Sequence, residues 1–234
     1  MRSVLLAAAV ALIPVPSRAA DPKPVEPFNG KDLTGWKLKW DDKKSHWAVT
    51  WVTMNDQKPG ELTAGVMTSP EPQPKHLANL RSGGVDISTV QTFGDCTIEL
   101  EFMVPKGSNS GIYVMGEYEV QVFDSFGKEK LGMGDLGALY SAATPKVNAS
   151  KKPGEWQKFI IEFQAPKFEG GKKTANAKFL KVTLNDQVLH ENVEMKGPTP
   201  GGLTGQEAAT GPLMFQGDHG PVAYRNIKIT PKGK

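Results

Sequence analysis

Tyr118-Glu-Val-Gln-Val-Phe-Asp124 alternates along its length, with Glu119 and Gln121 on one side and Val120 and Val122 on the other. A period of two is the signature of a strand with one face in a core. The valines enter that core, and the opposite face carries a carboxylate and an amide toward a cleft. A one-residue bulge at Val122 or Phe123 would bring Asp124 onto the Glu119 face, a device found beside active sites. An antiparallel strand whose polar side is simply wet shows the same alternation.

Outward from this stretch the same period recurs. Strands are expected over Trp47 to Met54, Cys96 to Val104, Gly111 to Met115, Tyr118 to Asp124, Lys158 to Gln164, Phe179 to Leu184, Val188 to Val193, Leu213 to Gln216 and Val222 to Thr230. Asn185-Asp186 reads as a tight turn closing a hairpin. No helix longer than a turn or two, no βαβ rhythm and no repeat is legible, so the class is all-β. Stretches rich in Gly and Pro at Ser69 to Pro74, Ala165 to Asn176 and Lys196 to Pro212 are expected to form long functional loops.

Composition narrows the class. Arg2, an apolar run from Val4 to Val15 and small residues to Ala20 read as a signal peptide over residues 1–20, too short to span a membrane. Residues 21–27, with three prolines, are expected to be a flexible lead-in, and residues 28–231 a single domain. The chain has 28 basic and 25 acidic residues, and losing Arg2 and Arg18 with the leader brings it close to neutrality. That balance gives no attraction to nucleic acid or to a membrane surface. The one cysteine, Cys96, alternates with Ile98, Leu100 and Phe102, and reads as a core thiol.

Several further segments stand in a fixed order: Phe28-Asn-Gly-Lys-Asp-Leu-Thr-Gly-Trp36, Phe93-Gly-Asp95, Gly107-Ser-Asn-Ser-Gly111, Ile112-Tyr-Val-Met-Gly116, Pro153-Gly-Glu-Trp156, and Gly211 to Ile227 with its Gly217-Asp-His-Gly-Pro221 turn. Together they closely resemble the 3-keto-disaccharide hydrolase family, over roughly residues 28 to 231. The resemblance implies a concanavalin A-like jelly-roll β-sandwich of two antiparallel sheets, one of them concave. The signal peptide makes a secreted or periplasmic protein the expectation, and in a bacterial protein the sequon Asn148-Ala-Ser150 is expected to go unused. Met115 stands where many members carry Arg, so a substrate contact made there elsewhere is missing here.

The implied reaction starts from a sugar oxidised at ring carbon three, whose ketone acidifies the proton on carbon two. A base removes that proton, the glycosidic oxygen leaves, and water adds afterwards. The site needs a base, a stabiliser for the enolate oxygen and an acid, with an optional divalent metal. Glu119 is expected as base or metal ligand, Asp124 as the second carboxylate, and His219 as acid or metal ligand. Gln121, Asn109, Gln216 and Arg225 are expected to bind substrate, Arg225 also as a charge partner for Glu119 or Asp124. A sugar 3-dehydrogenase would be the functional partner. Glu119-x-Gln121-x-x-Asp124 also resembles the Glu-x-Asp-x-x-Glu strand of laminarinase-type glucanases, with an amide at the centre. A conventional glycoside hydrolase of this fold and a non-catalytic carbohydrate-binding module are therefore the competing readings.

Overall fold

The computed structural model describes residues 23–40, 42–65 and 75–233. The signal peptide, the start of the lead-in and the Ser69 to Pro74 loop lie outside them. In chain order the strands are β1 (Trp36–Leu38), β2 (Trp47–Thr50), β3 (Val52–Met54), β4 (Leu62–Ala64), β5 (His76–Asn79), β6 (Ile87–Phe93), β7 (Cys96–Met103) and β8 (Asn109–Val114). They continue as β9 (Tyr118–Phe123), β10 (Gln157–Gln164), β11 (Lys167–Glu169), β12 (Lys172–Ala175), β13 (Ala177–Leu184), β14 (Gln187–Met195), β15 (Gly211–Phe215) and β16 (Val222–Pro231). The helical content of the described residues is one 3-10 turn, Asp42–Lys44.

Two antiparallel sheets form the jelly-roll sandwich. One has five strands in the order β1-β6-β15-β8-β9, the other seven in the order β14-β13-β10-β7-β16-β5-β2. Aromatic rings lock the sheets across the core: Phe215 of β15 stacks on Tyr224 of β16 at 3.9 Å, and Tyr118 of β9 meets Phe163 of β10 at 5.4 Å. Val120, Val122, Phe159, Ile161 and Cys96 lie in the same buried cluster. Burial pushes the Cys96 thiol up to about 12, as suits an inert core cysteine.

Local chemistry explains both agreements and departures. Asn185 and Asp186 take φ of 48° and 66°, the left-handed pair that a two-residue turn needs to join β13 and β14. The expected strand over Trp47 to Met54 breaks at Trp51, because β2 joins the large sheet through β5 while β3 pairs with β4. The expected loop over Ala165 to Asn176 instead contains the β11–β12 hairpin. β5 is buried on both faces and so lacks alternation, and β6 hides Ser88 and Thr89, which is why neither is legible in the sequence. Val25, expected in a flexible lead-in, exchanges two backbone hydrogen bonds with Ile229. No bulge occurs in β9: it pairs with β8 without a register shift from Val114↔Tyr118 to Asn109↔Phe123.

Candidate functional site

The regular β8–β9 register decides which side chains meet. With the valines in the core, Glu119 and Gln121 stand on the outer face of the five-stranded sheet, opposite Tyr113 and Gly111 of β8. Gly111 leaves room there, since a Cβ at that position would collide with Glu119 Oε1. Gln216 follows β15, and its backbone N–H donates to the Gly111 carbonyl at 3.0 Å. Asn109, Tyr113, Glu119, Gln121, Gln216 and His219, with Gly134, Tyr140, Pro200 and Gly201 from loops, line a cleft of about 400 Å³.

Two loops build the walls. Segment 137–140 runs along the free edge of β9: the backbone N–H groups of Gln121 and Tyr140 donate to the backbone carbonyls of Ala138 and Glu119, at 2.9 and 3.1 Å. The other wall is anchored by buried Glu117, whose carboxylate accepts from Thr204 N, Thr204 Oγ1 and Gly205 N at 2.7–2.9 Å. Thr199 Oγ1 accepts from Glu119 N at 2.9 Å. Lys39 Nζ adds a third tie, donating to the Gly201 and Gly202 carbonyls and to Asp86, so its three protons are all engaged.

Under these loops Glu119 is 2% exposed. Burial raises its carboxyl to about 8, the Tyr113 hydroxyl opposes that rise, and the charges of Asp86 and Asp218 add to it. Tyr113 Oη lies 2.9 Å from Glu119 Oε2 and 3.1 Å from the Pro200 carbonyl. Its single proton cannot serve both acceptors at once. When Glu119 is ionised the proton belongs to the carboxylate; when Glu119 is protonated it can donate to Tyr113, freeing the phenolic hydrogen for Pro200.

The amides are the second feature. Gln121 Nε2 donates to Gly134 at 3.1 Å, yet Gln121 Oε1 has no partner, nor have Asn109 Oδ1 and Gln216 Oε1. Five buried side-chain polar atoms are unpartnered among the described residues, and three of them belong to this one cleft. A buried acceptor without a partner costs about 1–3 kcal/mol. Three together mark a polar place whose donors come from water or from a bound ligand.

Of the residues expected at the site, Glu119, Gln121, Asn109, Gln216 and His219 thus come together. The other two do not. Asp124 lies beyond the end of β9 and accepts from Gly107 N at 2.9 Å and Phe126 N at 3.3 Å, a turn cap without the bulge that would have redirected it. Arg225 lies on the outer face of the seven-stranded sheet, where its Nε donates to Glu101 at 2.7 Å and its guanidinium sits 4.0 Å over Trp156. It therefore pairs with neither Glu119 nor Asp124. Glu99 is on that sheet too, held by Lys228 and Lys158. Asn148 of the sequon spends its amide on the Ser125 and Lys128 carbonyls.

His219 Nδ1 and Asp218 Oδ1 are 2.5 Å apart, which orients the ring and leaves Nε2 for a substrate. Glu119 and His219 were also the expected metal ligands. No trio of His, Cys, Asp or Glu converges among the described residues, so the donor set is one carboxylate, one imidazole and amide oxygens, a poor fit to a tightly held transition metal. Tyr113, Glu117 and Tyr140 escaped the sequence reading. Tyr113 had a usable signal: a hairpin turning at Gly116 sets it opposite Glu119.

Comparison with known proteins agrees with this architecture. The chain is similar to a proposed glycosyl hydrolase of Parabacteroides distasonis, with 26% identity over 89% of this chain and 83% of that one and a TM-score of 0.63. A second proposed glycosyl hydrolase of that organism superposes with a TM-score of 0.61 at 19% identity, covering 90% of this chain and 94% of its own. No curated protein matches the sequence. The 3-keto-alpha-glucoside-1,2-lyase-like domain matches over residues 23–230, and the chain belongs to that family of carbohydrate-active, glycosyl hydrolase-like domains.

Proposed function

We propose that this protein cleaves the glycosidic bond of 3-keto-glycosides by elimination, followed by addition of water. The observation that carries the reading is the pairing, in one cleft, of a buried carboxyl raised to about 8 with three unpartnered amide oxygens. The amide oxygens of Asn109, Gln121 and Gln216 accept sugar hydroxyls. Ionised Glu119 removes the proton from ring carbon two, and its raised pKa makes it a stronger base than an exposed carboxylate. The electron pair moves into the C2–C3 bond and onto the ketone oxygen, for which Tyr140 brings an O–H donor. As the enolate collapses, the C1–O bond breaks and His219, oriented by Asp218, gives a proton to the departing oxygen. Water then adds at carbon one of the enone, giving its proton to the now neutral His219, and Glu119, whose proton has exchanged with solvent, protonates carbon two.

The substrate must first be oxidised at ring carbon three, so a sugar 3-dehydrogenase is the class of enzyme that supplies it. The basic and apolar start of the chain supports a secreted or periplasmic setting. The test compares a disaccharide with its 3-keto form in deuterated water. The 3-keto form alone should be cleaved, with excess deuterium at carbon two of the released keto sugar, and turnover should survive a chelator. Cleavage of the plain disaccharide, or a sugar trapped covalently on Glu119, would overturn the proposal.

A further inference from the structure

Beside the cleft lies a second recess of about 470 Å³, walled by Lys39, Trp40, the Gly83-Gly84-Val85 turn, Asp86 and Asp218. Trp40 is 70% exposed, the most open of the large apolar side chains among the described residues. An indole this open in a concave setting offers a flat face, and among the described residues no other ring stacks on it. Its neighbour Lys39 is anchored. Lys39 Nζ sits 5.9 Å from the Trp40 ring while fixed by Asp86 and by the Gly201 and Gly202 carbonyls.

Three links join the recess to the cleft. Asp218 lines the recess while its neighbour His219 lines the cleft, and the two side chains are bonded. Lys39 of the recess holds Gly201, a wall of the cleft. The charges of Asp86 and Asp218 reach Glu119 and help raise its pKa. Gly84 packs directly on the turn that carries Asp218, since a Cβ there would stand 2.9 Å from the Gly217 carbonyl and 3.2 Å from His46 Nδ1.

We propose that this recess receives the leaving half of the substrate, and that Trp40 stacks on a ring there, either a second pyranose or an aromatic aglycone. The assignment rests on the reaction proposed above. A ring leaving from carbon one must lie on the side of the acid that protonates it, and the Asp218–His219 pair stands between the two recesses. Asp218 and Lys44 supply polar rims for hydroxyl groups, while Trp40 and Val85 supply the apolar face. Ring stacking of this kind changes affinity by up to about tenfold.

The test measures KM for a 3-keto disaccharide, for p-nitrophenyl 3-keto-glucoside and for methyl 3-keto-glucoside, in wild type, Trp40→Ala and Trp40→Phe. Because Trp40 is exposed, neither variant threatens the fold. Trp40→Ala should raise KM about tenfold for the two ring-bearing leaving groups and less than about twofold for the methyl glycoside, with Trp40→Phe restoring most of the loss. The larger effect identifies a sugar or an aromatic ring as the preferred occupant. An equal rise for all three substrates, or none for either ring, would overturn the assignment. A separate titration with p-nitrophenyl glucoside, which has no ketone, reads quenching of indole emission without turnover. Trp40-dependent quenching in a protein that cleaves no 3-keto-glycoside would sink the reaction but support the ring site. Normal cleavage with no Trp40-dependent quenching and no change in KM would sink the ring site alone.

Discussion

The outer faces of the two sheets carry nearly the same sequence pattern and opposite chemistry. On β7, Glu99 and Glu101 alternate with core residues as Glu119 and Gln121 do on β9. Each β7 carboxylate faces cations: the bond from Lys228, against the opposing effect of burial and with help from Lys158, holds Glu99 below the usual carboxylate range, and for Glu101 the upward push of partial burial is outweighed by bonds from Arg225 and Asn226 together. Among the described residues no cation is bonded to Glu119; loops cover it, and desolvation raises it to about 8. Alternation therefore says only that a carboxylate leaves the core. Whether it becomes a surface ion pair or a reactive group depends on what the loops and the neighbouring strand place over it.

The largest expected effect tests that contrast directly. Glu119→Gln should lower turnover of a 3-keto-glycoside by about a hundredfold or more, the scale of a lost general base, while Glu101→Gln on the other sheet changes it less than about twofold. Comparable losses from both variants would mean that the faces are not chemically distinct. The rate should also follow the ionisation of Glu119. Since the ionised form is the base, kcat/KM should rise through about pH 8. The Tyr113 hydroxyl stabilises the ionised form, so Tyr113→Phe should move this limb to higher pH, and a limb that stays in place would remove Glu119 from the base role. Stability runs the other way. A carboxyl raised from 4.5 to about 8 on folding favours the folded state fully below pH 4.5, and that advantage is lost as pH rises through about 8. Denaturant unfolding at pH 5 and pH 9 should show a smaller alkaline loss for Glu119→Gln than for wild type.

A middle-sized effect separates binding from folding. Gln216 Oε1 has no partner among the described residues, so Gln216→Met should leave the melting temperature unchanged or slightly higher while raising KM about threefold to tenfold. A destabilised variant with normal KM would make Gln216 a structural amide.

Much of this division was legible in the sequence, and the remainder was not for identifiable reasons. The β9 face could be read because the period of two survives intact from Tyr118 to Phe123, and the glycine-framed turn at His219 marked an exposed ring. Arg225 misled because alternation gives the side of a strand but not the sheet to which it belongs. β16 pairs with β7 and β5, which puts Arg225 beside Glu101. Asp124 misled because its place depended on a bulge, and a single irregular residue leaves no periodic trace. Glu117 and Tyr140 act through loops that return from 87 and 21 residues away, contacts that no local pattern encodes.

The smallest effect expected is at Arg225, and it sharpens the comparison most because the sequence had placed this residue with the chemistry. Its guanidinium pairs with Glu101 at 2.7 Å and lies over Trp156, with about a quarter of each charged side chain exposed. A half-screened ion pair and a cation–π contact together contribute about 1–2 kcal/mol. Arg225→Met should cost that much in denaturant unfolding near neutral pH and leave turnover within about twofold of wild type. The deficit should narrow in acid for two reasons. Protonating Glu101 removes the ion pair from the wild type. His76, against Trp156 at 4.8 Å, has its pKa depressed to about 4, first by burial and then by the Arg225 charge. A depressed histidine contributes stability that is present above pH 6.5 and lost as pH falls through about 4, so relieving part of that depression spares the variant part of the loss. A variant that folds but turns over tenfold more slowly would show that the seven-stranded face is coupled to the cleft, and the division between a reactive sheet and a structural one would fail.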